Sequence, residues 1–167
     1  MSKVEEDKKA GQEQKDETVI RQHRRWTHWI EAGRVLGEGS LILTNRRLLF
    51  LHRIESSPEV AASIRKLADA PMENVLDHAL TLHKNCFQIP LSSIIQVGIG
   101  SFAGFPLPKV YLTVVYLKGK KLDPRTVAFQ FKDPGHGIFS QPQIIVDWKW
   151  KRAIRRAIEE TGRIKIK

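Results

Sequence analysis

Two short apolar runs, Leu41 to Leu43 and Leu48 to Leu51, flank the polar segment Thr44-Asn45-Arg46-Arg47. Each is the length of a strand, not of a helix. Asn45 tolerates the left-handed backbone of a tight turn, so the unit is predicted to be a β-hairpin, punctuated in front by Gly37 and Gly39. Upstream, residues 18–34 carry two periodicities. Ile20, His23, Thr27 and Ile30 fall at helical spacing, whereas Trp26, His28, Ile30 and Ala32 alternate as in a strand. Their β-branched and aromatic content, with a hairpin following, favours a strand; a helix here would lie across the domain as a decoration. Ser56-Ser57-Pro58-Glu59 reads as a capping box, followed by the stripe Val60, Ala61, Ile64, Leu67 and Ala68. Pro71 restarts the pattern with Met72, Val75, Leu76, Ala79, Leu80 and His83, an amphipathic helix.

Strand alternation returns with Phe87, Ile89 and Leu91 and again with Ile95, Val97 and Ile99, while Pro90 marks a bend or an edge. Residues 100–108 read as a loop. Val110 to Leu117 and Arg125 to Lys132 form a second hairpin with the basic tip Lys118-Gly119-Lys120-Lys121. Residues 133–137 form another loop, and Ser140 to Gln143 a second capping box. The last helix carries Val146, Trp150, Ala153, Ile154, Ala157 and Ile158 on one face, with Gly162 suited to its C-terminal cap.

Two sequence runs carry a family resemblance. Gly39-Ser40-Leu41-Ile42-Leu43-Thr44-Asn45-Arg46-Arg47-Leu48-Leu49-Phe50 resembles the opening hairpin of the GRAM and pleckstrin-homology-like (PH-like) family, and Ile89-Pro90-Leu91-Ser92-Ser93-Ile94 is similar to a later run of GRAM-type domains. The resemblance spans residues 18–162. It implies a mainly β fold with α: a PH-like barrel of two bent antiparallel sheets, a C-terminal capping helix, and a helical insertion at about residues 56–84, between strands 3 and 4. It also implies a non-catalytic binding module that collects Lys and Arg from strand ends around an open barrel mouth. The Lys then Arg-x-Arg pattern of phosphoinositide-binding members is not present here.

Composition sharpens the expected partners. The chain of 167 residues carries 28 Lys+Arg against 18 Asp+Glu. Residues 1–17 hold four Lys and six acids and are expected to be a disordered tail, so the remainder carries +12. Such an excess favours anionic partners, although it also serves solubility. Cys86 is the only cysteine, which excludes an internal disulfide. No leader pattern opens the chain and no run is long enough to span a membrane. The expectation is a cytoplasmic protein, with peripheral contact at the inner membrane surface.

The first candidate site is an anion- or lipid-binding set at the loop tips: Arg46, Arg47, Lys109, Lys118, Lys120, Lys121 and Arg125. Such cations contribute about 1 kcal/mol each near an anionic bilayer; the ordinary alternative is solvated loop charge. A second is the apolar loop of Phe102, Phe105 and Leu107, either wedged into headgroups or folded over the barrel end. The third is the basic face of the last helix with the tail at residues 163–167, where Trp148 falls off the apolar stripe. His23, His28, His78 and His83 lack metal-ligand spacing, so no metal or cofactor is expected. No phosphate loop, nucleophile elbow or dinucleotide fingerprint occurs, so no enzyme is expected. The functional expectation is a protein-interaction or anionic-membrane adaptor, with nucleic-acid binding as the alternative.

Overall fold

The computed structural model describes residues 16–53, 69–102, 109–120, 122–132 and 143–161. Strands β1 (Val19–Glu31), β2 (Arg34–Thr44) and β3 (Arg47–His52) come first, followed by helix α1 (Met72–Thr81) and strand β4 (Phe87–Pro90). A 3-10 turn, Leu91–Ser93, leads into β5 (Ile94–Phe102), β6 (Lys109–Lys118), β7 (Asp123–Phe131) and helix α2 (Gln143–Glu160). All neighbouring strands are antiparallel, in the order β4-β3-β2-β1-β7-β6-β5. A terminal helix lies on β5, β6 and β7, so the antiparallel strands and closing helix are arranged as the PH-like resemblance implies.

β1 holds the two halves together. Most of its length pairs with β2, and Thr27 to Ile30 pair also with Ala128 to Phe131 of β7. Register shifts after Val19, His23 and Trp29 bend it. The sheet curls far enough that Phe50 of β3 meets Phe129 of β7, ring centroids 6.2 Å apart. The β1–β2 connection is two residues, Ala32 and Gly33, both at positive φ (49° and 77°). This is the backbone a tight hairpin turn demands. The hairpin therefore starts before Gly37 and Gly39, which lie inside β2 instead of punctuating its front. Gly39 is needed there because a Cβ would run into the Leu51 backbone carbonyl.

The central hairpin is apolar on consecutive residues because both of its faces are covered. Leu41, Leu43, Leu48 and Phe50 enter the main core with Leu112, Val114, Phe129, Trp150 and Ile154. Ile42 and Leu49 point the other way and pack under Leu76 of α1. The insertion thus closes the outer face of the hairpin. β4 is an edge strand, which accounts for Pro90 within it.

Alternation failed at one place. Ile95, expected inward with Val97, is 41% exposed, whereas Ile94 is fully buried. The β5–β6 register shifts between Ile94 and Gln96, and one extra residue exchanges the faces of a strand. The capping boxes at Ser56 and Ser140, the stripe from Val60 to Ala68 and Gly162 lie outside the described residues. Among the described residues no helix is long and apolar enough to cross a membrane.

Candidate functional site

The hairpin tip predicted to hold Arg46 and Arg47 for a ligand is occupied by the protein itself. Thr44 Oγ1 accepts hydrogen bonds from the backbone N–H groups of Arg46 (3.1 Å) and Arg47 (3.0 Å), and donates to Glu17 Oε1 at 2.7 Å. Asn45 Oδ1 accepts from the Thr18 N–H at 3.0 Å, and Asn45 Nδ2 donates to the Asp16 carbonyl at 3.0 Å. The Thr-Asn pair therefore ties the β2–β3 turn to the start of β1. Glu17, read as the last residue of a polar tail, is buried instead.

Arg47 donates from Nε to Glu17 Oε1 (2.8 Å) and from Nη2 to Glu17 Oε2 (2.7 Å). Its Nη1 donates to Asp77 of α1 and to Gln88 of β4. The Arg47 side chain is 12% exposed and that of Glu17 is 0%. Burial alone would lower the Arg47 value, but the bonds to Glu17 and Asp77 hold it above the ordinary arginine value. Arg46 bonds Glu73 of α1 at 2.8 Å. These two arginines fasten three parts of the fold together, which corrects their reading as open loop charges.

A second arrangement faces solvent. The end of β1, the segment after α1, and the β6–β7 turn surround a cleft of about 570 Å³. Lys84, Lys118 and Arg125 line it, with Glu31 as the opposing charge. Trp29, Phe87 and Tyr116 supply its apolar surface. Beneath them the Trp29 and Phe87 rings lie 4.8 Å apart, and Phe87 stacks on buried Phe50 at 5.4 Å. This aromatic layer floors the cleft and joins it to the core.

Electrostatics in the cleft favour binding over bond-making. Burial first, and then the Glu31 carboxylate, push the Tyr116 phenol above its ordinary value, leaving a neutral hydroxyl donor. Burial pushes the Cys86 thiol up as well, so it is a protonated lining atom and not a thiolate nucleophile. Behind this wall the His52 and His83 rings stack in parallel at 4.0 Å. That contact joins the end of β3 to the segment after α1.

Of the predicted cations, the structure brings Lys118 and Arg125 to the cleft. Lys120 is exposed in the adjoining turn, and Lys121 lies outside the described residues. The backbones of Phe102 and Lys109 end β5 and begin β6, their side chains being outside the described set, as are Phe105 and Leu107 entirely. Sequence reasoning missed Lys84, Tyr116 and Trp29. Lys84 follows an amphipathic helix and Tyr116 alternates within a strand, so neither stood out.

No family model matches the chain, and no curated protein sequence matches it. Among solved structures it is similar to a Vps36 N-terminal PH domain, at 14% identity and a TM-score of 0.48, over 87% of this chain and 81% of that one.

Proposed function

We propose that this chain is a non-catalytic binding module that uses the cleft at the end of β1 to hold a phosphorylated headgroup at an anionic membrane surface. The observation that carries the reading is the convergence of Lys84, Lys118 and Arg125, drawn from separate segments, on one aromatic-floored opening. Three cations against Glu31 leave the rim positive, and charge-assisted bonds to phosphate are among the stronger polar contacts. Trp29 and Tyr116 give a ring or glycerol body an apolar surface to lie on, the usual composition of a small-ligand site. The GRAM and PH-like resemblance agrees in kind.

Co-sedimentation with neutral and anionic vesicles at two salt concentrations tests this. Binding confined to anionic vesicles, weakened by salt and by the pair Lys118→Glu and Arg125→Glu, supports the reading. Absence of binding at low salt removes it. One observation favours a second reading, protein interaction: β5 ends the sheet order and exposes Ile95. An edge of this kind can accept an added peptide strand. A peptide that binds with unchanged affinity in the Lys118→Glu, Arg125→Glu variant would favour it.

A further inference from the structure

Helix α2 has an outer face that folding does not account for. Its inner face is complete: Trp150, Ile154, Ala157 and Ile158 are buried in the main core. Yet the first turns also expose Ile144 (54%), Ile145 and Trp148 (52%). Neighbouring Ile20 of β1 is exposed too and shares a shallow groove of about 530 Å³ with Trp148. Immediately C-terminal come Lys149, Lys151, Arg152, Arg155 and Arg156, with no acid until Glu159. The Arg152 guanidinium lies over the Trp148 ring, 5.5 Å from its centroid. Arg156 pairs with Glu160 of the same helix at 2.9 Å.

We infer that this face of α2 is a second contact surface, and that its partner is an anionic lipid bilayer. Exposed aliphatic groups and a Trp at one end of a helix, followed by a block of cations, match the two layers of a membrane interface. The apolar end enters the acyl boundary, the Trp stands at headgroup level and the cations meet acidic lipid. Nucleic acid would use the cations and leave Ile144 and Ile145 without a role, since aliphatic side chains offer bases no stacking surface. This surface is separate from the cleft: Ile20 and Arg21 at the start of β1 border the α2 face, and Trp29 and Glu31 at its other end border the cleft.

The full chain is titrated with phosphatidylcholine vesicles, with and without phosphatidylserine, using three variants. Trp148→Ser with Ile144→Ser removes the apolar arm, Lys151→Glu with Arg152→Glu reverses the charge, and Lys118→Glu with Arg125→Glu alters the cleft. Equal unfolding midpoints confirm that the exposed substitutions leave the fold intact. Each α2 variant is expected to bind phosphatidylserine vesicles at least about tenfold more weakly, and bromolipid quenching of wild-type fluorescence is expected to drop when Trp148 is replaced. The inference is overturned if both α2 variants bind like wild type, or if only the charge variant weakens and a DNA duplex displaces the vesicles. Loss in the cleft variant alone would sink this surface while sparing the cleft; loss in the α2 variants alone does the reverse.

Discussion

The two basic turns of this domain look alike in sequence and differ in what surrounds them. At Asn45-Arg46, between β2 and β3, the charges are drawn inward: Arg47 is gripped by Glu17 and Asp77, and Arg46 by Glu73. At the β6–β7 turn, Lys118 and Arg125 border an open cleft in which, among the described residues, Glu31 is the one lining carboxylate. The difference lies in what the rest of the chain brings alongside. Glu17 precedes Arg47 by 30 residues, Asp77 follows it by 30, and Glu73 follows Arg46 by 27. A cation on a loop is a ligand site only if the fold has not already supplied its anion.

The largest effect expected from breaking this contrast is on stability. Arg47→Ala leaves the Glu17 carboxylate buried without its partner, which costs about 3–5 kcal/mol. A urea midpoint close to wild type would show that Glu17 escapes to water and that the pair does not brace the fold. Next in size, Lys118→Glu with Arg125→Glu is expected to weaken binding to anionic vesicles about tenfold, which is about 1.4 kcal/mol, while changing the unfolding free energy by less than about 0.5 kcal/mol. The same titration should leave Arg46→Ala unchanged in binding. Its stability loss should be at most about 1 kcal/mol, because the Arg46–Glu73 pair is partly open to solvent.

The smallest effect concerns pH and separates the two ways α1 is held. Burial, reinforced by the charge of His83, pushes His52 below the ordinary imidazole value. Burial, with Lys132 adding to it and Glu38 opposing, does the same for His28. A histidine depressed in the folded state takes its proton more readily when unfolded. Stability is therefore full above the unfolded value and declines as pH falls through about 6.5 toward the folded values. Urea midpoints between pH 7.5 and 5.5 should fall slightly, and His52→Phe should flatten part of that slope. A slope unchanged by the substitution would assign it elsewhere.

Most of the architecture could be read from residue order, because it is written in periodicity. The double-faced apolar hairpin, the edge Pro90, the insertion helix and the Trp150–Ile154–Ile158 stripe all follow local rules of burial. Ile95 was misread because a bulge exchanges faces without leaving a mark in composition. Glu17 was misread because it ends a charged run, and only its pairing with Arg47 makes it a core residue. The cleft was half legible. Lys118 and Arg125 sit at a turn that charge alone points to, whereas Lys84, Trp29 and Tyr116 reach it through topology.

The Glu17 clasp has a mechanical consequence. Tension applied to the chain from its N-terminal side first meets the described fold where Glu17 and Asn45 bind strand to turn, alongside β2. Load entering there would be shared between the Arg47–Glu17 fork and the bonds of Asn45 to Asp16 and Thr18. A tether at that end would load this clasp before the opposite end of β1, which borders the cleft.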